Sequence, residues 1–225
     1  MKSNVLIWIG YHLEESGKEE LLSQIRQISN IRVHYVRQPY MRGLGDVILC
    51  AKDFIDDEPF GVILGDDVVY AGNEKPALKQ LMDQYDETGC TIIGCQVVPE
   101  DKVSSYGIIK GAETDNPDLL RVVDMIEKPS IKEAPSRFAA LSRYVITPDV
   151  FDILEMTSPG KGGEIQLTDA LRVMAHEEKV YAYNFKGKRY DTGNKLGYLK
   201  AVVEFALRRE DLGRQFKEYL KTLEV

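Results

Sequence analysis

Carboxylates that follow strand-like segments are the residues of this sequence best suited to chemistry. Asp66 and Asp67 come directly after the apolar run Gly61–Leu64, and Asp191 follows a second strand-like segment further along the chain. Ligands bind at the C-terminal ends of strands in open α/β sheets, and a carboxylate there can hold Mg²⁺ against a diphosphate. If Asp66 and Asp191 face each other, they form a site for one Mg²⁺ ion. Each aspartate taken alone also fits a solvated turn or a helix cap.

A glutamate and a lysine end another strand-like run. Glu127 and Lys128 follow the segment Val122–Ile126 and precede Pro129. A lysine in this place can pair with a phosphate, and the glutamate can accept hydrogen bonds from sugar hydroxyls. The alternative is a surface ion pair in front of a turn.

Glycines near these segments have two interpretations each. Gly107, which follows Tyr106, would let a ligand approach the backbone closely, or it belongs to an ordinary turn. Gly163 and Glu164 either help to cap a helix or contact a sugar through the glutamate carboxylate.

Strand-like and helix-like segments alternate through the first hundred residues, which is typical of an α/β sheet with crossover helices. The apolar spacing predicts helices over residues 14–28, 46–54, 76–87, 148–155, 165–176, 195–208 and 212–223. It predicts strands over residues 32–37, 61–64, 91–98, 105–110, 119–126, 138–146 and 180–185. Because the run 61–64 is apolar throughout, we expect it to be a buried parallel strand. No linker rich in Gly, Ser or Pro interrupts the chain, so we expect one domain over residues 1–225.

Two common phosphate-binding motifs are missing from the sequence. It contains neither Gly-x-Gly-x-x-Gly nor Gly-x-x-x-x-Gly-Lys-Ser/Thr. These are the phosphate-binding turns of dinucleotide-dependent dehydrogenases and of P-loop NTPases. Both classes therefore lose their main support.

Composition and charge narrow the classes of partner. The chain carries 29 Lys and Arg against 36 Asp and Glu, a formal net charge of −7. This balance argues against nucleic acids and anionic membranes as partners, because both attract basic surfaces. No apolar run is long enough to span a bilayer. Cys50, Cys90 and Cys95 are odd in number and lack a Cys-x-x-Cys spacing, which predicts reduced thiols and a cytoplasmic protein.

Seven segments occur in an order that is similar to that of a known family. They are Arg42–Gly45, Gly65–Val69, Tyr106–Ile109, Val123–Pro129, Ser142–Pro148, Gly162–Ala170 and Phe185–Asn194. So ordered, they closely resemble the bacterial UTP–glucose-1-phosphate uridylyltransferases, which are also called UDP-glucose pyrophosphorylases. The resemblance runs from about residue 14 to residue 208, and the segments GGEIQLTDA and RYDTGNKLGY are highly specific.

The resemblance implies both a fold and a reaction. The fold would be α/β of the nucleotidyltransferase type, with a Rossmann-like mixed central sheet flanked by helices. Its family-like core would span residues 14–208, and a C-terminal helix would occupy residues 209–225. The reaction would be UMP transfer from UTP to glucose 1-phosphate, which gives UDP-glucose and pyrophosphate, with Mg²⁺ as cofactor. A homo-oligomer is a further expectation, because the family forms dimers or tetramers.

The resemblance also assigns roles to the residues discussed above. Asp66 and Asp191 would hold Mg²⁺, and Lys128 would bind the sugar phosphate, so that Asp66 and Lys128 are the expected catalytic residues. Glu127 would bind the glucose hydroxyls. The other expected substrate contacts are Gly43, Gly45, Tyr106, Gly107, Gly163 and Glu164, with Gly43 and Gly45 against the uridine.

The sequence departs from the family at its start and at three single positions. Family members begin with a strand and a loop, Gly-x-Gly-Thr-Arg, that wraps the triphosphate, and residues 1–12 do not match it. We therefore expect an N-terminally truncated fold with impaired turnover, because stabilisation of a reacting phosphate supplies several kcal/mol. The family usually has an apolar residue, His and Gly where this chain has Arg42, Asp46 and Ser142.

Two alternatives of another class stay open at this point. One is a non-catalytic or regulatory protein that binds a sugar nucleotide. The other is a glycosyltransferase that uses a nucleotide sugar, which would favour Asp-x-Asp after the strand in place of the adjacent Asp66 and Asp67.

Overall fold

A computed structural model describes residues 12–223 of the chain, without the side chain of Lys161. The contacts divide the chain into two compact units, residues 1–37 and residues 38–225, which we describe one at a time. None of the described helices is long and apolar enough to cross a membrane. The expectation of one domain over the whole chain stays a prediction.

The first unit contains helix α1, Glu19–Ser29, which buries Leu22. The helix predicted over residues 14–28 is interrupted: residues 12–15 are helical, the chain then turns at residues 16 and 17, where Gly17 has a left-handed φ of +65°, and α1 begins at Glu19. The predicted strand over residues 32–37 is wrong, since these residues have no regular structure. A strand needs a hydrogen-bonding neighbour, and the pairings of the described strands do not include this segment.

The helices of the second unit lie close to their predicted bounds, with one difference. The helix expected over residues 46–54 is two short helices, separated by a turn at Cys50 and Ala51. In chain order the helices are α2 Leu44–Leu49, α3 Lys52–Ile55, α4 Ala77–Thr88, α5 Val150–Met156, α6 Leu167–His176, α7 Lys195–Arg208 and α8 Gly213–Lys221. Short 3₁₀ helices cover Glu100–Ser105 and Lys161–Gly163.

The strands of the second unit form two sheets. They are β1 Phe60–Ile63, β2 Asp67–Tyr70, β3 Thr91–Val97, β4 Gly107–Glu113, β5 Leu119–Glu127, β6 Phe138–Ile146, β7 Val180–Asn184 and β8 Lys188–Asp191. The central sheet has the order β1-β6-β3-β7-β5-β4, and β4 also pairs with β6 at one point. β3 and β7 are parallel, whereas the other described pairs of this sheet are antiparallel. The predicted mixed sheet is therefore confirmed.

The orientation predicted for residues 61–64 is wrong. β1 pairs antiparallel with β6, with Val62 opposite Tyr144, and it lies at one end of the described strand order. Its burial alternates, because Phe60 and Val62 pack against the core while Ile63 is 56 % exposed. An apolar run does not by itself reveal whether both faces of the strand are covered.

Helices cover both faces of the central sheet. Neighbouring residues of one strand therefore belong to apolar clusters on opposite faces of the sheet. Ile92 belongs to the apolar cluster on the side of α4, whereas its neighbour Ile93 belongs to the cluster on the side of α5 and α6. Ile108 and Ile109 divide between the clusters in the same way. Successive side chains of a strand point to opposite faces, so these strands are buried on both sides, as an α/β sheet requires.

The second sheet is a ribbon of β2 and β8, which pair antiparallel. Asp67 lies opposite Asp191, and Val69 lies opposite Arg189. Tyr190 of β8 is buried, and its hydroxyl donates to the Glu204 carboxylate of α7 at 2.6 Å. This contact holds the ribbon against α7. The ribbon and the residue before it, Asp66, thus place three aspartates beside the end of the central sheet.

Candidate active site

One cavity, of about 330 Å³, collects most of the predicted site residues. Those that line it are Asp66, Tyr106, Gly107, Glu127, Lys128 and Asp191. They come from the turn before β2, the start of β4, the end of β5 and the end of β8. Segments that lie up to 125 residues apart in sequence therefore meet at one place, as the prediction of a shared site requires.

The two aspartates predicted to hold a metal ion approach a common point. A methyl carbon built on Gly193 would lie 3.2 Å from Asp191 Oδ1 and 3.3 Å from Asp66 Oδ2. Thr192 fixes this arrangement, because its backbone N–H and its hydroxyl both donate to the Asp66 carbonyl, at 2.8 and 2.9 Å. The backbone N–H of Gly193 donates to Asp191 Oδ1 at 3.1 Å.

The third aspartate, Asp67, is buried and paired with an arginine. It is 4 % exposed and lies opposite Asp191, so two like charges face each other across the ribbon. Arg189 compensates for this, since its Nε lies 2.6 Å from Asp67 Oδ1 and donates to Oδ2 at 2.7 Å. Burial would lower the pKa of Arg189, but its hydrogen bonds to Asp67 and to the Tyr106 hydroxyl raise that pKa overall.

A second arginine supports the backbone of the same segment. Arg143 donates to the Asp67 carbonyl at 2.6 Å and to the Ser142 carbonyl at 2.9 Å. Burial lowers the pKa of Arg143, as does the neighbouring Arg189 charge, whereas Asp67 acts in the opposite direction. Asp67 is therefore held by one arginine at its side chain and by another at its backbone.

The same cavity is lined by the predicted glutamate and lysine. Thr168 Oγ1 donates to Glu127 Oε2 at 2.6 Å, and Lys128 Nζ lies 3.7 Å from Glu127 Oε1. Lys128 has a left-handed φ of +46°, and its backbone N–H donates to the Tyr106 carbonyl at 3.0 Å. Such a conformation is uncommon for a residue with a side chain and is often found at functional sites.

The Glu127 carboxylate lies close to Gly107, in space that a side chain at this position would occupy. A methyl carbon at this position would be 3.1 Å from Glu127 Oε2 and 3.2 Å from Thr168 Oγ1. Any larger side chain would displace that hydrogen-bonded pair. Gly107 begins β4 and does not lie in a turn, and the close approach of these protein side chains explains the glycine. The ligand contact expected of Gly107 stays a prediction.

The remaining predicted residues form a separate contact beside the cavity, between segments 42–45 and 164–165. The N–H of Ile165 donates to the Arg42 carbonyl at 2.7 Å, and the N–H of Gly45 donates to the Ile165 carbonyl at 2.9 Å. A methyl carbon on Gly43 or Gly45 would lie 2.8 Å from the Ile165 carbonyl oxygen. Leu44, between these glycines, lines the cavity.

Gly163 and Glu164 belong to the chain that enters this contact. Gly163 has a left-handed φ of +75°, which a glycine adopts without strain. Glu164 is exposed, and its carboxylate accepts a hydrogen bond from Gln166 Nε2 at 2.9 Å. The substrate contacts expected of Gly43, Gly45, Gly163 and Glu164 stay predictions.

The donor set of the cavity fits a hard divalent cation that also binds phosphate. Among residues 12–223 no group of three or more His, Cys, Asp or Glu side chains is arranged as a metal site. The pair Asp66 and Asp191 instead offers two carboxylates. Mg²⁺ is commonly bound in this way, through one or two carboxylates, with substrate phosphates and waters as the other ligands.

Three residues that line or support this cavity are given no role by the sequence-based predictions. Arg189 was within a specific segment, and its position two residues before Asp191 puts both on one face of a strand, a signal that could have found it. Asp67 follows Asp66, but only its register with Asp191 shows its role. Thr168 has no local signal, because its partner Glu127 is 41 residues away.

A mixed sheet between helices, with carboxylates and a lysine lining a cavity at the strand ends, defines an α/β protein with a polar cavity beside its sheet. Comparison with known proteins agrees. Residues 5–207 match the nucleotidyl transferase family. Nucleotidyl transferases generally use a divalent metal ion.

The individual relatives assign the chain to a narrower group within this family. A UTP–glucose-1-phosphate uridylyltransferase of Staphylococcus saprophyticus is 47 % identical over 212 residues, which are 94 % of this chain and 73 % of that protein. The enzyme of the same name from Bacillus subtilis is 46 % identical, over 94 % of this chain and 72 % of its own length.

Solved structures give the same result. A UDP-glucose pyrophosphorylase in complex with UDP-glucose matches with a TM-score of 0.81 and 43 % identity, over 86 % of this chain and 73 % of the other. A UTP-bound enzyme from Acinetobacter baumannii matches with a TM-score of 0.84 and 34 % identity, over 97 % and 76 %. The chain therefore belongs to the nucleotidyl transferase family, among its UTP–glucose-1-phosphate uridylyltransferases.

Proposed function

We propose that the chain transfers UMP from UTP to the phosphate of glucose 1-phosphate, giving UDP-glucose and pyrophosphate. One observation carries this proposal. A single cavity is lined by the carboxylates Asp66 and Asp191 together with Lys128 and Glu127. A nucleotide bound through a cation and a sugar phosphate bound through a lysine would meet in this space.

The reaction needs two anions to be positioned and their charge to be cancelled. A phosphate oxygen of glucose 1-phosphate forms a bond to the α-phosphorus of UTP, and the bond to pyrophosphate breaks on the opposite side. Lys128 binds the phosphate of the sugar as a compact positive charge. Glu127, held at Oε2 by Thr168, presents Oε1 to the glucose hydroxyls.

A divalent cation, Mg²⁺ in our proposal, neutralises the charge of the triphosphate when it is bound. Asp66 and Asp191 hold it. Gly43, Gly45, Gly163 and Glu164 flank the side of the cavity where Leu44 lies, and we assign the uridine and its sugar to that side. Tyr106 and Gly107 line the same cavity, and we assign them to the substrate contacts.

The partners of the chain are accordingly UTP, UDP-glucose and glucose 1-phosphate. Cys50, Cys90 and Cys95 are free thiols, which fits a reducing compartment, and we assign the protein to the cytoplasm.

The test is release of pyrophosphate by the 225-residue chain with UTP, glucose 1-phosphate and Mg²⁺. We expect release that requires both substrates, and a decrease of about 100-fold or more in Asp191→Asn and in Lys128→Ala. Lys132→Ala is the matched control, because it removes an exposed positive charge four residues from Lys128 and leaves the cavity intact.

Two results would contradict the proposal. Binding of UDP-glucose without any release of pyrophosphate would identify a sugar-nucleotide-binding protein. Equal loss of activity in Lys128→Ala and Lys132→Ala would show that only net charge matters at this side of the cavity.

A further inference from the structure

The face of β8 that points to the cavity carries a charged residue beside the predicted metal ligand. Arg189 and Asp191 are two residues apart on one strand, so their side chains share a face. Tyr190, between them, points to the opposite face, where it meets Glu204 and Arg208 of α7. The cavity face and the supporting face of this strand can therefore be altered separately.

The hydrogen bonds of Arg189 determine how the Tyr106 hydroxyl is oriented. Arg189 uses Nε for the buried Asp67 carboxylate, and its NH1 group donates to the Tyr106 hydroxyl oxygen at 3.1 Å. The guanidinium carbon also lies 4.9 Å from the centre of the Tyr106 ring. Arginine cannot accept a hydrogen bond, so the hydroxyl must accept from it and direct its own proton elsewhere.

That proton is directed to the predicted metal ligand. The Tyr106 hydroxyl donates to Asp191 Oδ2, and the two oxygens are 3.4 Å apart. This contact is longer than the roughly 2.7 Å of a full hydrogen bond between oxygens, and catalytic contacts of this kind often shorten when the ligands bind. Asp191 Oδ1, held by the backbone of Gly193, is the oxygen that lies near Asp66.

We propose that Arg189 and Tyr106 are positioning residues, which orient the Asp191 carboxylate so that Oδ1 faces Asp66 and the divalent cation. The inference rests on the metal site of the proposed function. In this arrangement the series runs from Asp67 through Arg189 and Tyr106 to Asp191, and each member has a hydrogen bond to the next. Partners of this kind, behind a metal ligand, commonly alter metal affinity about 10- to 100-fold.

Positioning and simple electrostatics predict opposite results for Arg189. If only charge matters, Arg189→Gln removes a repulsive positive charge and should strengthen cation binding. If Arg189 acts by orienting Tyr106, the same change weakens cation binding, because the hydroxyl proton is no longer directed to Asp191. Tyr106→Phe removes that proton without changing any charge, and it should weaken binding as well.

The experiment is a titration of the full chain with Mn²⁺, followed by the electron paramagnetic resonance signal of the free ion, with and without UDP-glucose. We expect the dissociation constant for Mn²⁺ to rise about tenfold in Tyr106→Phe and in Arg189→Gln. Arg189→Lys keeps the charge but lacks the planar group that reaches two partners. We therefore expect this variant to bind Mn²⁺ more weakly than the wild type, as Arg189→Gln does.

Tyr190→Phe is the matched control for a loosened ribbon. It removes the hydrogen bonds of Tyr190 to Glu204 and Arg208 on the supporting face of the same strand, and it should leave Mn²⁺ binding unchanged. Equal weakening in Tyr190→Phe, full affinity in Arg189→Lys, or stronger binding in Arg189→Gln would each overturn the inference. If Asp191→Asn binds Mn²⁺ like the wild type, the metal site of the proposed function is itself wrong.

Discussion

Two regions beside the same cavity achieve their geometry by different means. In the ribbon of β2 and β8, charged side chains hold one another, as the buried pair of Asp67 and Arg189 shows. In the contact between segments 42–45 and 164–165, backbone groups meet directly because Gly43 and Gly45 have no side chains. The ribbon therefore depends on charge pairing, whereas the glycine contact depends on steric fit.

The glycine contact also includes one buried charged residue, Asp46. Asp46 is 2 % exposed and accepts a hydrogen bond from Gln38 at 2.7 Å, and Arg42 lies 2.7 Å from its other oxygen. Arg42 and Asp46 are two of the positions at which the resemblance predicts a departure from the family. They lie four positions apart and pair with each other, so each compensates the other's charge.

The largest effect should come from removing the buried charge of the ribbon. Asp67→Ala leaves the Arg189 guanidinium, with only 15 % of its side chain exposed, without its carboxylate. We expect a loss of about 4 kcal/mol in the free energy of unfolding, measured with urea. Asp115→Ala, at an exposed aspartate, is the control and should be nearly neutral. A small effect of Asp67→Ala would show that the ribbon does not depend on this pair.

A methyl group tests the steric region in the same assay. Gly43→Ala places a carbon 2.8 Å from a backbone oxygen at a φ of +94°, so the chain must shift. We expect a loss of about 3 kcal/mol. Gly65→Ala is the control, since a methyl carbon there has no neighbour within 4 Å. Equal stability of the two variants would contradict the role assigned to this contact.

The pH dependence of stability should distinguish Asp46 from the glycines around it. The hydrogen bond from Gln38, which is opposed by burial, and the pairing with Arg42 together lower the pKa of Asp46 below its usual 3.8. A carboxyl whose pKa is lowered by folding stabilises the protein above its unfolded pKa and loses that effect as the pH falls. Asp46→Asn should cost about 1.5 kcal/mol near neutral pH, and the difference should shrink below pH 3.8. A difference that is constant with pH would contradict this.

Thr168 tests a side-chain contact on the sugar side of the cavity. Thr168→Val keeps the shape of the residue and removes the hydroxyl that donates to Glu127 at 2.6 Å. We expect the KM for glucose 1-phosphate to rise about tenfold, with little change in that for UTP, because a hydrogen bond to a charged group contributes roughly 1.5 kcal/mol. An equal change in both KM values would show a general loss of structure.

The smallest effect should be a gain in stability at Ser142, the third position at which the resemblance predicts a departure from the family. Ser142 lines the cavity with a left-handed φ of +41°. Glycine relieves roughly 1 to 2 kcal/mol of backbone strain there and costs about 0.5 to 1 kcal/mol in unfolded-chain entropy. We expect Ser142→Gly to gain about 0.5 kcal/mol or slightly more. Ala140→Gly, at an ordinary strand position two residues before, should lose stability.

Much of the fold could be predicted from local patterns, because each element carries its own periodicity. The strand Phe138–Ile146 and the helix Lys195–Arg208 have the bounds that their apolar spacing predicts. The segment at residues 32–37 shows the limit of this reasoning. It alternates like a strand, but a strand forms only with a hydrogen-bonding neighbour, and the spacing of its side chains contains no information about that neighbour.

The sequence by itself identified the residue types of the candidate site, whereas the tertiary structure determined how those residues are arranged. Asp66, Asp191, Glu127 and Lys128 could be singled out because carboxylates and a lysine follow strand-like runs within specific segments. Only the folded chain puts Asp67 opposite Asp191 and against Arg189, and Ile165 against Gly43 across more than 120 residues. Residue type determines what a side chain can bind. Its partners come from strand register and packing between distant segments, which no local pattern specifies.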